Sequence, residues 1–426
     1  MRTYSKSIIK LVTLIFVLSL AFSADVYAKK KNKQNIDLKT YNVFKGKILD
    51  NKTNLPVAFA TIAVVGENTA TISNSEGEFT LKVKKDSEAT EIEITHLGFK
   101  NLRYKVSALK EKRNILRMEL ATLTLDEISV YPNSAEYIVR SAFAKIEQNY
   151  MDEAESMTGF YREYIKKKKH YVGLSEAVVD IYKTGYFDFG SDRVRIYKGR
   201  KGRDVQRMDT LLFKLQGGPA TTLLLDIMRN PKIIFSDEAF NDYKFSFAPP
   251  VKVNNKLSFV IEFSERFSRE YALFAGKLYI NMETLALTAA DFHLNLEQPE
   301  KASQLFIRKK PVGVKVMPVS AVYKVNYREQ DNKWYFNYAK GEVRFRVKWK
   351  RRLFSTYYTT MSEIAVTDRK NIVEKIKYRD QFKKTQVFAE EVSSFTDNDF
   401  WGEYNYIEPD QAIEVAIRKL KRAMRK

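Results

Sequence analysis

The chain has 426 residues, a formal net charge of +21 at pH 7 and no cysteine. Without cysteine there are no disulfide bonds, thiolate metal sites or lipidated N-terminal cysteine, so a hydrophobic core alone must hold the fold together. The length is sufficient for two domains.

The first 28 residues have the pattern of a secretory signal peptide, with Arg2, Lys6 and Lys10 in front of the apolar run Leu11–Phe22. That run has the length of a signal-peptide hydrophobic region and is short for a membrane span, and small residues precede a cleavage point after Ala28. An uncleaved membrane anchor is the alternative. We therefore expect an exported chain that is periplasmic and can associate with the outer membrane.

The basic net charge limits the classes of partner that we expect for such an exported chain. In a cytosolic protein this balance would suggest nucleic acid, which an exported protein rarely meets. We expect no nucleic acid as a partner, and instead a protein of the envelope or an acidic glycan or lipid surface, with peripheral membrane contact. The alternative is that the charges are solvated surface residues.

The sequence after the signal peptide divides into four segments. Residues 29–40 form a polar, lysine-rich leader that we expect to be flexible. Residues 41–120 alternate short β-type runs with turn residues, and residues 121–133 have the composition of a linker. Residues 134–426 contain many strand patterns and a few helical ones. The predicted fold class is mainly β with some α.

Residues 41–120 contain turn and strand motifs in a fixed order: Gly46 and Asp50, Thr53 and Pro56, Ala58 and Ala60, Gly66 and Asn68, Thr71 to Leu81, and His96 to Phe99. In this order and spacing they resemble the carboxypeptidase-regulatory-like domain, which is a seven-stranded transthyretin-like β-sandwich. The resemblance implies an N-terminal seven-stranded β-sandwich, followed here by an antiparallel β-rich α+β domain. It implies no active site, because the motif residues are structural.

The physical properties of these residues fit the resemblance. Asn74 to Gly77 predict a tight hairpin, in which Gly77 supplies the positive φ that such a turn needs. Phe79 and Leu81 point to the same side of the next strand, toward the core. Two positions depart from the family pattern: Asn74 replaces the usual Asp, and His96 stands where Ser or Tyr is common.

The second part of the chain resembles smaller envelope proteins of Bacteroidetes type that carry this domain in front. Leu125–Val130 resembles the linker between such a sandwich and the plug of a TonB-dependent receptor, but the residues after it do not resemble a plug. Phe160–Glu163, Ser175–Ala177 and Phe400–Asn405 carry the resemblance. It implies no particular activity.

Periodicity gives the main elements of this second part. Gly341–Trp349 places apolar residues on one face of a strand and Arg or Lys on the other, and Lys277–Leu296 has the pattern of two strands around a polar turn. Helical spacing begins after Ser134, a predicted N-cap, and returns near the end of the chain after Pro409. The leucine-rich Thr210–Asn230 also has a more helical pattern.

Arg162, Glu176 and Asp180 are the first candidate binding residues. Thr158–Ile165 and His170–Tyr182 can pair as a hairpin, which puts both carboxylates on one face among apolar neighbours. A carboxylate buried there needs a partner, and Arg162 can supply it. The pair is either a structural ion pair or part of a polar site in a cavity, and a paired-carboxylate hydrolase is the third alternative.

Trp401 and Tyr404 are the other candidate binding residues. They belong to an aromatic group with Phe400 and Tyr406, beside carboxylates such as Glu403. Sugars stack on aromatic rings, and carboxylates bind sugar hydroxyls. An aromatic group that leads into an amphipathic helix is also typical of a plug that closes a core.

The sequence contains no motif of a known catalytic site. His96, His170 and His293 do not begin a zinc-peptidase motif, and the P-loop and nucleophile-elbow patterns are missing. We therefore predict no catalytic residues, no metal site and no cofactor, in a protein that is not an enzyme.

The sequence is compatible with three functional hypotheses. The first is a non-catalytic cell-envelope protein that binds or scaffolds a partner through its β-sandwich. The alternative is a periplasmic lipid or lipoprotein carrier, in which the C-terminal sheet forms a half-barrel and the leucine-rich segment forms a lid. A hydrolase is the third. A filled core in the C-terminal sheet would favour the first hypothesis, and an enclosed apolar cavity would favour the second.

Overall fold

The structure is a computed structural model, and it describes residues 40–123, 134–204, 217–235, 240–267, 272–306, 312–370, 372–394 and 400–423. The predicted signal peptide, nearly all of the predicted leader and most of the predicted linker lie outside these ranges. Within them, none of the helices is long and apolar enough to cross a membrane.

Seven strands near the N-terminus form two facing sheets. They are β1 Tyr41–Asp50, β2 Thr61–Val64, β3 Ala70–Ile72, β4 Glu78–Lys84, β5 Glu91–Thr95, β6 Leu102–Lys105 and β7 Asn114–Met118. One sheet has the order β4-β1-β7 and the other the order β3-β2-β5-β6, with antiparallel pairs except for β1 and β7. The predicted seven-stranded β-sandwich is therefore confirmed.

The sandwich closes over a core to which both sheets contribute, with Phe79 and Leu81 fully buried in it as predicted. Gly77 has φ of +76°, and a Cβ there would lie 2.5 Å from the Ile48 carbonyl oxygen, so glycine is required. The turn from Asn74 to Gly77 joins β3 to β4, which lie in different sheets. The predicted tight hairpin is therefore a crossover turn, because Ile48 N–H donates to the Gly77 carbonyl and draws the chain to β1.

The second part of the chain contains one large sheet. Its strands are β8 Glu155–Lys167, β9 His170–Lys183, β10 Arg193–Arg203, β11 Tyr243–Val253, β12 Lys256–Glu265, β13 Phe274–Asn281, β14 Leu287–Leu294, β15 Val314–Gln330, β16 Lys333–Trp349, β17 Thr356–Lys370 and β18 Ser393–Ser394. Their order is β11-β12-β13-β14-β15-β16-β17-β8-β9-β10-β18. All neighbours are antiparallel except β10 and β18, as the predicted antiparallel β-rich domain requires.

Short helices accompany this sheet. They are α1 Ala135–Ala144, α2 Ile146–Asn149, α3 Gly218–Thr222, α4 Pro299–Phe306, α5 Phe388–Glu391 and α6 Gln411–Ala423. The predicted N-cap of α1 is confirmed, since Ser134 Oγ accepts a hydrogen bond from Tyr137 N–H. In α6, Ile413 and Leu420 pack against Tyr164 of the sheet.

Other segments of the chain pack against both faces of the sheet. Its inner face, which includes Tyr161, packs against α1 and residues 217–235 around the main hydrophobic core. Its outer face, which includes Phe160 and Tyr338, packs against the sandwich and residues 400–407. The predicted alternation in β16 is present on these two faces and confirms that segment as a strand.

Candidate functional site

The sandwich docks on the outer face of the sheet through several contacts, two of which bear on the candidate site. In the first, the ring of Phe59 stacks on Tyr338 with a centroid distance of 5.8 Å. Beside it, Asn337 Nδ2 donates to Thr61 Oγ1 at 2.8 Å. These contacts place the sandwich over β16.

The turn after β5 makes the second contact, at the edge strand β11. Leu97 packs against Tyr279 of the outer face, and Gly98 N–H donates to the carbonyl of Lys252 in β11 at 3.0 Å. Burial lowers the pKa of His96 below its usual 6.5, so this imidazole is neutral at pH 7. A motif that the sequence assigned to the sandwich fold thus also fastens the sandwich to the edge strand.

Arg162 is the centre of a buried group that we call the outer cluster: Arg162, Glu176, Arg200 and Glu363. Arg162 Nε donates to Glu176 Oε1 at 2.8 Å, and Arg162 Nη1 lies 3.3 Å from Glu363 Oε1. Arg200 Nε donates to the other oxygen of Glu176 at 2.9 Å. Arg162 Nη2 also donates to the Ile407 carbonyl at 2.8 Å, which ties the C-terminal segment to the sheet.

The charges of the outer cluster satisfy one another. Burial raises the pKa of Glu176, but the charges of Arg162 and Arg200 lower it by more than burial raises it. The pKa of Glu176 is therefore below its usual value. Burial alone would lower the pKa of Arg162, whereas Glu176 and Glu363 raise it above its usual value. A carboxylate that stays charged and fully hydrogen-bonded away from solvent is poorly suited to general acid or base chemistry.

The structure places the other candidate binding residues at different distances from this cluster. Trp401 is buried and joins it, with the Arg200 guanidinium 4.6 Å from the Trp401 ring centre. Asp180 pairs instead with Arg195, at 2.9 Å. Tyr404 is half-buried near the surface of the same layer.

Residues 400–408 fill the space between the sandwich and the sheet. Asn405 Oδ1 accepts from Lys82 N–H at 2.7 Å and Asn405 Nδ2 donates to the Lys82 carbonyl at 3.1 Å, which imitates a strand pairing with β4. Thr71 Oγ1 donates to the Tyr406 carbonyl at 3.1 Å. This segment, with its aromatic group, therefore forms a middle layer.

An open groove of about 960 Å³ crosses the outer face on the part of the sheet that the sandwich leaves uncovered. Its floor and sides come from β11 to β16, and Phe59 of the sandwich forms part of its wall. The Lys340 ammonium lies 5.0 Å from the centre of the Phe59 ring, so the wall combines an apolar ring with a cation.

Both signs of charge line this groove. Lys277 pairs with Glu262 at 3.0 Å, and Lys324 pairs with Asp291 at 2.6 Å. All four side chains are more than a third exposed, so each pair contributes at most about 1 kcal/mol and exchanges readily with a bound partner. His293 is exposed beside them. The groove is thus a solvated, mixed-charge surface with an aromatic wall.

The inner face buries a second charged group, the inner cluster: Lys183, Asp192, Asp226, Tyr186 and Tyr327. Lys183 Nζ lies 2.8 Å from Asp192 and 2.7 Å from Asp226. Tyr186 and Tyr327 donate their hydroxyls to Asp226 at 3.0 and 2.8 Å. Burial lowers the pKa of Lys183, but the two carboxylates raise it above its usual value. The cluster fastens residues 217–235 to the sheet.

Within the described ranges, no three His, Cys, Asp or Glu side chains are grouped as a metal site would need. The buried carboxylates of the two clusters instead pair with Arg and Lys of the same chain. The absence of a metal, of a cofactor and of catalysis stays a prediction.

Residues 44–130 match the family model of the CarboxypepD_reg-like domain. The N-terminal part of this chain is a CarboxypepD_reg-like domain. This match covers nearly all of the sandwich, while the large sheet that forms the groove floor lies outside it. No curated protein matches the chain.

Several solved structures are similar to more than half of the chain, at low identity. A candidate outer membrane lipoprotein-sorting protein domain from Vibrio parahaemolyticus is 12% identical and covers 58% of this chain and 95% of its own, with a TM-score of 0.24. A DUF1329 family protein from Desulfovibrio piger is 10% identical over 55% and 94%, with a TM-score of 0.22. The Pseudomonas aeruginosa MucA/MucB complex gives 8% identity over 54% and 93%, with a TM-score of 0.15. TM-scores this low carry no argument.

Sequence reasoning did not single out the groove, Glu363 or the inner cluster. The groove residues lie on strands that pair only in the folded sheet, and their alternation looks like that of any solvated strand face. Asp226 follows the short helix α3, and the helical pattern of its segment does not reveal that this charge becomes buried against the sheet.

Proposed function

We propose that this chain is a non-catalytic, exported cell-envelope protein that binds or scaffolds another envelope protein. The groove on the outer face carries the proposal, because it is large, open and walled by both parts of the chain. The charges of the two buried clusters hold the layers together, whereas the charged pairs of the groove are exposed and can exchange with a bound partner.

The character of the groove supports a protein partner more than a small molecule. Its charged pairs lie on neighbouring strands, which suits an extended segment with side chains of both signs. The aromatic wall at Phe59 provides an apolar anchor of the kind that contributes strongly at protein interfaces. The docked sandwich fixes this wall relative to the sheet.

The carrier hypothesis requires a different surface. An acyl chain would have to enter the inner face beneath residues 217–235, where Phe235 packs against Tyr243 and Phe263 at ring distances of 5.1 Å. The carrier function therefore needs these rings to move aside. This requirement makes the binding or scaffolding function the better supported one.

A photo-reactive phenylalanine analogue, placed in living cells at the position of Lys277 or His293, tests the proposal. Both positions lie in the groove and are exposed, whereas Lys110 is exposed on the sandwich and serves as the control. We expect the same discrete cross-linked protein from both groove positions and none from position 110.

A charge reversal makes this experiment specific. Lys277→Glu combined with Lys324→Glu should abolish the cross-link from position 293, while Lys110→Glu should leave it unchanged, at equal thermal stability. A cross-link that survives the reversal, or that appears equally from position 110, would contradict the proposal. Stoichiometric lipid in an organic extract of the purified protein would favour the carrier instead.

A further inference from the structure

The connection between β16 and β17 forms a tip at one end of the large sheet. Leu353 and Phe354 are 91% and 83% exposed there. Val312, just before β15, is fully exposed, and the neighbouring Gly313 accepts a hydrogen bond from Lys350 N–H at 2.8 Å. Three large apolar side chains are thus exposed to solvent at the same end of the adjacent strands β15 and β16. An exposed apolar group of this kind is typical of a surface that binds a partner.

The same tip is strongly basic. Between Glu342 and Glu363 there are twenty residues, six of which are Lys or Arg and none of which is Asp or Glu. Lys348, Lys350 and Arg351 are exposed on either side of the half-buried Trp349. Apolar and cationic side chains therefore alternate over a few residues.

Neighbouring strands extend this positive surface. Lys315 faces Lys348 across the β15–β16 pair, and it contacts Glu300 of α4 at 3.2 Å. On the other side, Lys168 N–H donates to the Tyr357 carbonyl at 2.8 Å, which places the lysine-rich β8–β9 turn beside β17. The surface thus spans the ends of four adjacent strands, β15, β16, β17 and β8.

We propose that this tip binds the surface of an anionic phospholipid bilayer, with Leu353 and Phe354 inserted among the lipid headgroups and the surrounding Lys and Arg on the lipid phosphates. Short apolar tips insert to the depth of the headgroup region, aromatic rings favour that depth, and nearby cations are attracted by anionic lipid. A protein partner with an acidic, apolar pocket would need to match this protruding shape, whereas a bilayer accepts it without a fitted pocket. The inference rests on the proposed export of the chain but does not depend on the groove.

Vesicle flotation of the protein in its exported form tests this inference. The vesicles contain phosphatidylethanolamine with about one-quarter phosphatidylglycerol, and phosphatidylcholine vesicles serve as the neutral comparison. We expect binding to the anionic vesicles, weakened by salt, and little binding to the neutral ones. Leu353→Ser with Phe354→Ser, and separately Lys350→Gln with Arg351→Gln, should each weaken binding by roughly tenfold.

Matched controls come from exposed residues elsewhere. Phe189→Ser removes a fully exposed ring, and Lys110→Gln with Lys112→Gln removes two exposed charges, so both should leave vesicle binding unchanged. In addition, Phe354→Trp should give a blue-shifted fluorescence on anionic vesicles that is quenched by brominated lipid.

Three outcomes would overturn the inference. They are equal binding to neutral and anionic vesicles, binding that the two tip variants leave unchanged, and binding to dextran sulfate without binding to vesicles. The last result would identify an acidic glycan as the partner. None of them affects the cross-link expected from the groove, so the two proposals fail independently.

Discussion

The large sheet buries charge on both faces, but it does so with different cations. In the outer cluster, Arg162 reaches Glu176, Glu363 and the Ile407 carbonyl, which belong to three different elements. In the inner cluster, Lys183 pairs with Asp192 and Asp226. A planar guanidinium can join several layers at once, whereas an ammonium acts as a point charge.

The difference shows how each cluster holds its covering segment. The outer cluster reaches the C-terminal segment directly through its cation. The inner cluster holds residues 217–235 through an anion, Asp226, which also accepts hydrogen bonds from two tyrosine hydroxyls. Removal of Arg162 should therefore leave two carboxylates short of a cation on the outer face, whereas removal of the Asp226 charge should leave a partly paired cation on the inner face.

The largest expected effect is that of Arg162→Ala. It leaves Glu363 without the Arg162 cation and creates a cavity, so we expect a loss of about 4–5 kcal/mol in the free energy of unfolding, measured by urea denaturation. Arg195→Ala is the control on the same part of the sheet, because Arg195 is about a third exposed and its loss should cost about 1 kcal/mol or less. Equal losses in the two variants would show that Arg162 is not buried with its carboxylates.

Asp226→Asn tests the inner cluster. The change keeps the shape of the side chain but leaves Lys183 with Asp192 alone, so we expect a loss of about 3 kcal/mol. Hydrogen exchange in residues 217–235 should become faster, while exchange in residues 400–408 stays the same. Glu153→Gln, at an exposed position, is the control. Faster exchange in both segments would mean that the two clusters are one cooperative unit.

Glu163 is a buried carboxyl that accepts a hydrogen bond from a tyrosine hydroxyl. Its pKa shows the effect of burial where no paired arginine outweighs it, in contrast to the pKa of Glu176. Burial raises its pKa to about 8, although the Tyr161 hydroxyl, 2.8 Å away, lowers it in part. Between about pH 4.5 and about pH 8, Glu163 therefore keeps its proton in the folded state, whereas the unfolded chain, with the usual pKa of 4.5, has lost it. This contribution to stability is complete below about pH 4.5 and is lost as the pH rises through about 8.

Glu163→Gln should remove this pH dependence. Between about pH 5 and pH 8 the wild-type chain should lose at least about 2 kcal/mol relative to the variant, measured by urea denaturation across that range. Glu176→Gln is a useful contrast, since the pKa of Glu176 is lowered and its paired carboxylate should give no such loss above pH 5. Parallel pH curves for wild type and Glu163→Gln would contradict the raised pKa.

The sequence predicted the parts of the fold that depend on local pattern. The turn and core residues around Gly77 lie close together in the chain, and their order carries the family resemblance that implied the sandwich. Arg162 and Glu176 face each other across the β8–β9 pair, in a register that the short turn and the irregularity between Ile165 and Lys166 set together. Glu363 comes from β17, which lies much later in the chain, and its arrival beside Arg162 depends on how the whole sheet closes.

The groove and the docking of the sandwich were beyond sequence reasoning for a related physical reason. The alternation in β11 to β16 shows which residues share a face, but it does not say which face the sandwich covers. The His96–Phe99 motif fits a sandwich turn equally well whether it is solvated or docked. Only the assembled layers reveal that Leu97 is an interface residue.

The smallest expected effect concerns the uncharged contact between Asn405 of the middle layer and the Lys82 backbone of the sandwich. Asn405→Ala removes both hydrogen bonds to the Lys82 backbone, so we expect a loss of about 1–2 kcal/mol and faster hydrogen exchange in β4. Asn405→Asp keeps the acceptor for Lys82 N–H but places a carboxylate oxygen against the Lys82 carbonyl, so its effect on β4 exchange should be at least as large as that of Asn405→Ala. If Asn405→Ala destabilises the protein as much as Arg162→Ala, the middle layer is held by these neutral bonds as strongly as by the buried arginine. The difference between the two faces would then come from how their covering segments pack, and not from the use of Arg162 on one face and Lys183 on the other.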